Sequence, residues 1–557
     1  MKEIRILGPP GTGKSTRLAT KEIPDAANRY GNDKILVTSF TRTAAKEISS
    51  KPSIKTGKPI DIPTSQIGTL HKFCYNLFGM PKLAHEVLDQ WNDQYPQYEI
   101  NASLNTASMD VVVDSNGAGN GDILLNKLDI MRAKMIPENR WGSDSAMLKT
   151  FHKLWTDFKN NMDVMDFTDL IDKAAVHFPY APGRPEVIFV DEAQDFTKLQ
   201  LHLVRNWSSS ASWLVMVGDD DQTIFSFTGA TPDAFIQDSD TLVEKRILDQ
   251  SFRVPEQVYN HAMKIVRKIK HRESKKYKPR QFKGLVKIVN DNYRNITKTG
   301  VLKSIKQDLS QGKSVMFLTT CAYMLNPLIR DLRMRGIPFS NKYRAKTGQW
   351  NPLSRGGKKR VSAVDLIEAF HSCGDDGPYW TVEQFLKWAP YLKTGEYGFR
   401  HGKGKPGITA LKKAVEEKVD GLHTTRNVIE QLMGEDAVFR ALERDTKWLY
   451  ENMVKNRLKA MEYPLNVLKT GGVSAVTERP NLTVGTVHSV KGGEADSVYI
   501  CPDISYRGVK MLDKLFGNEK IQYVDSLFRL FYVGITRARE SLTILRPATR
   551  YYVQIER

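Results

Sequence analysis

The sequence predicts an α/β fold built on parallel sheets, and three apolar runs carry that prediction. Ile4-Arg5-Ile6-Leu7, Val187-Ile188-Phe189-Val190 and Trp213-Leu214-Val215-Met216-Val217 each read as a buried strand that ends abruptly in glycine or acidic residues. The first runs into Gly8-Pro9-Pro10-Gly11-Thr12-Gly13-Lys14-Ser15-Thr16, the second into Asp191-Glu192-Ala193-Gln194-Asp195, and the third into Gly218-Asp219-Asp220-Asp221-Gln222. Strand, functional turn and helix then alternate, which is the pattern of a parallel sheet rather than of a hairpin fold.

The first turn is a phosphate-binding loop. Gly8 and Gly13 bracket four residues and Lys14-Ser15 follow at once, so backbone N–H groups and the start of the next helix wrap a triphosphate. Gly11, Thr12 and Thr16 belong to the same cradle, Lys14 reaches toward the β and γ phosphates, and Ser15 is a Mg²⁺ ligand. Acids at the end of the second strand complete that chemistry. Asp191 is the second expected Mg²⁺ ligand and Glu192 orients the attacking water, while a plain helix N-cap is the structural alternative for Asp191. Gln222, after the third strand, is placed to sense the γ phosphate.

Composition narrows the class of partner. The chain has 557 residues, too many for one core, and 41% hydrophobic with 26% charged residues is ordinary for a globular protein. The charge balance is less ordinary, at 82 basic against 63 acidic residues, or +19, and favours a polyanion. Ten Lys or Arg crowd into His261 to Lys283 against the single acid Glu273, part of which a solvated helix face explains. Cys74, Cys321, Cys373 and Cys501 are far apart, so neither a zinc site nor a disulfide framework is expected, and a reducing cytosol fits. The N-terminus runs straight into a strand and no stretch of 18 apolar residues occurs, so neither a signal peptide nor a membrane span is expected.

Between these anchors, Ile35 to Phe40 reads as a further buried strand and Thr41 to Ile48 as a helix start. Ile67 to Cys74 reads as another turn, followed by a long mixed region to about Asp163 in which Ser115 to Gly121 is a loop.

The motifs, taken together, resemble the UvrD/Rep group of superfamily 1 helicases. Ser39-Phe40-Thr41-Arg42-Thr43-Ala44-Ala45, Gly68-Thr69-Leu70-His71, the two acidic turns, Leu248-Asp249-Gln250-Ser251-Phe252-Arg253, Thr486-Val487-His488-Ser489-Val490-Lys491-Gly492-Gly493-Glu494 and Tyr532-Val533-Gly534-Ile535-Thr536-Arg537-Ala538-Arg539 fall in the family's order. The resemblance implies two RecA-like P-loop domains with parallel sheets, each carrying a largely helical insertion. Residues 1–75 and 165–250 form the first lobe with insertion 76–164, and residues 251–340 and 480–557 the second with insertion 341–479. ATP lies between the lobes, with Lys14, Ser15, Asp191, Glu192 and Gln222 from the first and Arg253 and Arg537 from the second. By the same resemblance Phe252 stacks on the base and Glu494 touches the ribose. Nucleic acid meets Phe40, Phe167, Phe225 and Phe227 by stacking and Thr69, His71 and His488 by polar contacts, although each ring taken alone is more often a core residue.

The implied activity is an ATP- and Mg²⁺-dependent DNA helicase and single-strand translocase of 3′ to 5′ polarity in replication, repair or recombination. Its partners are single-stranded DNA, single-strand/duplex junctions and replication or repair proteins, in the cytoplasm, on the nucleoid or on viral DNA. The rival reading is a nucleic-acid-dependent ATPase that remodels protein–DNA complexes without separating strands, favoured by Thr228 where the family has arginine. A plain P-loop kinase leaves Arg253, Arg537 and the aromatic set unexplained. Only seven residues precede Gly8, so the family's adenine-reading glutamine motif has no counterpart, and the twenty residues after Arg537 leave no room for a nuclease. Between Asn341 and Ala410, twelve basic and six acidic residues fit duplex binding and a solvated surface equally well. Tyr551 and Tyr552 sit where related helicases place a strand-separating hairpin or else close the core.

Overall fold

Alternating buried strands and capped helices produce the predicted α/β class, with parallel-strand sheets consistent with two RecA-like domains carrying helical insertions. The structure is a computed structural model. It describes residues 2–40, 48, 51, 57, 61–101, 119–142, 145–236, 242–296, 300–341, 350–357, 360–373, 379–417, 424 and 426–556. Thr41 to Glu47, read above as a helix start, lie outside the described residues.

The chain divides into two compact units, one of Met1–Asn290, Leu318–Ala322 and Thr486–Arg557, the other of Asp291–Phe317 and Tyr323–Gly485. In the first, six strands make one sheet: β1 (Lys2–Leu7), β2 (Ile35–Ser39), β3 (Ile67–Gly68), β4 (Val187–Asp191), β5 (Trp213–Gly218) and β6 (Leu242–Ile247), in the order β3-β2-β4-β5-β1-β6. Every pairing is parallel. The register sets Leu7 beside Gly218 and Ser39 beside Asp191, so the phosphate loop and both acidic turns leave the sheet at its carboxyl edge. Ligands of open α/β sheets collect at that edge. β2 and β4 are buried throughout their length, as expected of strands covered by helices on both faces.

The same unit holds β7 (Gln250–Pro255), β8 (Lys278–Arg280), β9 (Leu285–Val289), β12 (Ala495–Ile500) and β13 (Ala538–Leu545), while β10 (Val315–Thr319) and β11 (Leu482–Thr486) are each cut by the division between units. β13 pairs in parallel with both β12 and β9. Asp503 anchors the C-terminal segment, its carboxylate accepting from Ala548 N at 3.0 Å and Thr549 N at 2.9 Å. Tyr552 bridges back to Asp503 and is exposed, and Tyr551 packs on Tyr506 with 5.5 Å between ring centroids.

Among its described residues, the region between β3 and β4 is mainly helical. Thr69 caps the helix Leu70–Leu77, accepting from Lys72 N at 3.3 Å. The helix Asn120–Ala133 begins inside the stretch read as a loop, because Asp122 folds back to accept from Gly119 N at 3.2 Å and so caps it. That helix and Ala146–Asn161 pack with Leu88–Gln94 around Trp91, Phe151 and Trp155, the two indoles meeting edge to face at 4.9 Å. In the second unit, Phe370, Trp380, Phe385 and Trp388 are buried together within helices Ala363–His371 and Val382–Trp388 and the turn before the latter, Ser362 and Thr381 capping both helices. Its longest helix, Lys455–Thr477, is broken at Gly472, where φ is 72°. No helix among the described residues is long and apolar enough to cross a membrane.

A buried ion cluster ties the helices Asn120–Ala133 and Ala146–Asn161 to the helix Phe167–His177. Asp166 caps that helix, accepting from Asp169 N at 2.6 Å, and its carboxylate is held by Lys159, by Arg132 at 3.2 Å and by Trp155 Nε1 at 3.1 Å. Burial pushes the Asp166 carboxyl up, but Lys159 and Arg132 outweigh that and hold it below the usual carboxylate range. A lowered carboxyl stabilises the fold above its unfolded value and loses that contribution as pH falls through the folded one. Lys159→Met leaves Asp166 and Asp169 short of a buried cation and is expected to cost about 3–5 kcal/mol in urea unfolding monitored by tryptophan fluorescence.

Candidate functional site

Glycine at three points makes the phosphate loop possible. Gly8 N donates to Gly218 O at 2.9 Å, so the loop starts locked to β5, and a Cβ at Gly8 would collide with the Lys14 side chain. Gly11 and Gly13 take φ of 74° and 77°, a region costly for other residues. Thr12 closes the turn, its Oγ1 donating to Pro9 O at 2.8 Å. From Gly13 the helix Lys14–Arg17 starts, widens over Leu18–Glu22 into a π-type turn and continues as Ile23–Tyr30. Lys14 folds back across the loop, its Nζ donating to Gly8 O at 2.7 Å.

The acids face this loop from β4. Ser15 Oγ donates to Asp191 Oδ2 at 2.9 Å, while Asp191 Oδ1 is buried with no partner among the described residues. Burial, then Glu192, push the Asp191 carboxyl up, against the pull of Ser15 and Lys14. A buried, unsatisfied carboxylate oxygen next to a serine hydroxyl is a hard-oxygen donor pair that fits Mg²⁺. Glu192 adopts the left-handed conformation, φ 52°. Burial raises its carboxyl, but Lys14 and Lys491 outweigh that and keep it low, hence ionised. Gln194 holds it in place, Nε2 donating to Glu192 Oε2 at 2.5 Å while Oε1 accepts from Asp219 N at 3.0 Å.

Residues from the later motifs reach the same place. Ser251 Oγ donates to Pro10 O at 2.8 Å and Phe252 N to Gly11 O at 2.8 Å, so β7 lies along the phosphate loop and leaves the Phe252 ring 70% exposed beside it. Arg253 Nε pairs with Glu494 at 2.6 Å. Arg537 is buried, its guanidinium donating to Val533 O at 3.1 Å, Gly493 O at 3.0 Å and Gln222 Oε1 at 3.1 Å. Gln222 is thereby oriented at both ends, since its Nε2 donates to Asp219 Oδ2 at 2.7 Å.

The aromatic residues fall into two groups. Phe40 stacks on Phe225 at 5.3 Å, and Phe225 and Phe227 meet edge to face at 6.0 Å with His488 5.4 Å from Phe227. Phe225 is only 5% exposed, so its ring serves as the floor of this group, whereas Phe40 and Phe227 are half-buried at its edge. Separately, Phe167 is 50% exposed, stacked on His85 at 5.6 Å and edge-on to His71 at 5.9 Å. Burial pushes the His71 imidazole down to about 4, so it is neutral at physiological pH and makes neutral hydrogen bonds only.

Sequence reasoning left out several of these partners. Lys491 pairs with Asp195, donates to Gln222 O at 2.8 Å and lies 4.9 Å over the Phe225 ring. Burial pushes the Asp195 carboxyl up, and Lys491 opposes it. Both residues stand inside motif runs already quoted, which was the available signal. His85 has none, since only the fold brings it to Phe167. The basic run His261 to Lys283 is also less of a surface than its composition implies, because Lys275 is buried and Arg272 is paired with Asp221.

Gly11 carries a direct test of this geometry. A Cβ there would overlap Arg253 Cβ, come within 2.7 Å of Ser251 Oγ and strain a φ of 74°. Gly11→Ala is therefore expected to lower kcat/KM for ATP at least tenfold in a coupled hydrolysis assay, with unfolding shifted by no more than about 1–2 kcal/mol.

Comparison with known proteins points to one family. Residues 1–243 match the family described as UvrD/REP helicase N-terminal domain, and residues 408–547 match the UvrD-like helicase C-terminal domain. A probable DNA helicase II homolog of Mycoplasma capricolum is 23% identical over 365 residues, 61% of this chain and 49% of that protein. ATP-dependent DNA helicase PcrA of Staphylococcus epidermidis is 24% identical over 298 residues, 49% of this chain and 39% of that protein. The chain thus spans about half or less of these two relatives. ATP-dependent DNA helicase Rep of Buchnera aphidicola is 22% identical over 629 residues, 98% of this chain and 91% of that protein. With residues 1–243 and 408–547 matched by its N- and C-terminal domains, the chain belongs to the UvrD/Rep helicase family.

Proposed function

We propose that this chain is an ATP-dependent DNA helicase that translocates 3′ to 5′ along single-stranded DNA in replication, repair or recombination. Its sites of action are single-strand/duplex junctions, met in the cytoplasm on nucleoid or viral DNA together with replication or repair proteins. One observation carries the reading above the others. Lys491 bonds Asp195 and Gln222 on the nucleotide side while its ammonium lies over Phe225 on the aromatic side, so the two chemistries share a residue.

In the proposed reaction, backbone N–H groups of the loop Gly8 to Gly13 and the Lys14 ammonium hold the β and γ phosphates of ATP. Ser15 and Asp191 would hold Mg²⁺, which supplies charge neutralisation to the phosphates. Glu192, ionised and fixed by Gln194, orients the attacking water and takes its proton as the new P–O bond forms and ADP leaves. Arg253 and Arg537 stabilise charge on the transferring phosphoryl group, and Gln222 contacts the γ phosphate between them. Phe252 offers an exposed face to the base and Glu494 an acceptor to the ribose. Single-stranded DNA stacks on Phe40, Phe227 and Phe167 above the floor that Phe225 makes, with polar contacts from Thr69, His71 and His488.

A second reading, protein remodelling on DNA without strand separation, is favoured by Thr228. Its hydroxyl donates to Phe225 O at 2.8 Å and supplies no cation where the family has arginine. Release of a labelled strand from a 3′-tailed duplex selects the helicase, and ATP turnover without release selects the remodeller.

The primary test is steady-state ATP hydrolysis with and without oligo-dT. Strong stimulation is expected, reduced about a thousandfold in Arg537→Ala, the scale of an arginine acting on the transferring phosphoryl. Stimulation that survived in the variant would reject the role of Arg537. Lys14→Ala is expected to abolish hydrolysis while retaining single-strand binding in fluorescence anisotropy. Phe227→Ala should weaken oligo-dT binding by about 1–3 kcal/mol, seen as a raised activation constant with basal turnover intact.

A further inference from the structure

Next to the sensor glutamine lies a buried charge cluster that the scheme above does not use. Asp219, Asp220 and Asp221 are all buried, with carboxylate oxygens close enough together to surround one cation. The cation there is a side chain. Lys275, 4% exposed, places Nζ 3.2 Å from Asp219 and 3.0 Å from Asp221 and also pairs with Asp220. Arg272 grips Asp221 through two bonds of 2.8 and 2.6 Å, and Glu273 N donates to Asp220 Oδ2 at 2.8 Å. Three carboxylates thus face two cations from one short segment, and the buried Arg529 guanidinium lies beside them, its Nε donating to Asp220 O at 2.9 Å.

Asp219 is shared between this cluster and the site. Its Oδ1 faces Lys275 and its Oδ2 accepts from Gln222 Nε2 at 2.7 Å. That bond fixes which way the amide points, so Oε1 accepts from Arg537 at 3.1 Å. Without the lysine, Asp219 Oδ1 loses its ammonium partner and the carboxylate is free to turn away from Gln222. An amide released from Oδ2 can turn over, and it then presents N–H groups to a guanidinium that can only donate.

We propose that Lys275 is a positioning residue for Gln222, acting through Asp219 to keep the glutamine amide in the orientation that engages Arg537. The inference rests on the reading of Gln222 and Arg537 given above.

A double-mutant cycle tests it. ATP turnover at saturating oligo-dT is measured for Gln222→Ala, Lys275→Met and the pair, with KM for ATP taken from the same titrations. Each single change is expected to lower kcat at least tenfold with KM within about threefold, and the pair should be no slower than the worse single. Lys275→Arg, which keeps the charge, should restore kcat to within about threefold of the unaltered protein. Losses that multiply in the pair would overturn the inference by making Lys275 a purely structural residue, as would unaltered kcat in Lys275→Met. Unaltered kcat in Gln222→Ala would overturn the assigned role of Gln222 and the inference with it. Should Lys275→Met not fold, Lys275→Gln replaces it, since it also removes the ammonium beside Asp219 Oδ1; the same kcat loss and non-additivity are expected, and unaltered kcat again overturns the inference.

Discussion

Buried carboxylates at the carboxyl edge of one parallel sheet are the constraint on which the rest depends. Asp191, Asp195, Asp219, Asp220 and Asp221 are all essentially out of solvent. Each such charge costs several kcal/mol unless a cation or hydrogen-bond donors compensate it. The compensation comes from elsewhere in the chain: Lys14 from the phosphate loop, Lys275 and Arg272 from the segment after β7, and Lys491 from the run Thr486 to Glu494. Asp191 alone keeps an unsatisfied oxygen, at the point where a divalent ion fits. Electrostatic closure and the proposed catalytic arrangement are therefore one requirement, and a sequence that loses a cation loses both.

How much of this was legible in the sequence follows from the range of each signal. The loop at Gly8, the strands ending at Asp191 and Gly218, and the motif order are local, because a turn that wraps phosphate needs its glycines and lysine at fixed offsets. Pairings between distant segments are not local. Nothing near Lys275 distinguishes it from the other nine basic residues of its run, and only the fold sends it inward to three aspartates. Of the loop expected at Ser115 to Gly121, the first four residues lie outside the described ones, and the end shows the opposite error. Glycine and asparagine signal a turn, but Asp122 two residues beyond Asn120 supplies a cap, and Asn120 and Gly121 become the first turn of a helix.

The aromatic residues show why ring identity alone does not locate a stacking surface. Phe225 and Phe227 are two residues apart, yet one is buried beneath Phe40 and the other lies at the edge against His488. A base gains stacking energy only from an open face, so in the proposed reading the open rings carry affinity and the buried one carries alignment. Phe167 has such a face because Asp166 caps its helix and His85 backs its ring, and the charges that hold Asp166 fix where the ring stands.

Lys491 unites these two themes. Its ammonium satisfies Asp195 and the Gln222 carbonyl while lying 4.9 Å over Phe225, so it cannot move toward one group without leaving another. A cation over a ring contributes on the order of 0.5–2 kcal/mol, against a few kcal/mol for a buried ion pair. The ion pair therefore sets where the lysine sits and the ring follows. A change at the γ-phosphate side that displaced Gln222 would reach the floor of the stacking group through one side chain, while displacement of a stacked base would return only the weaker of the two forces. That asymmetry fits a motor in which nucleotide state drives the grip on DNA.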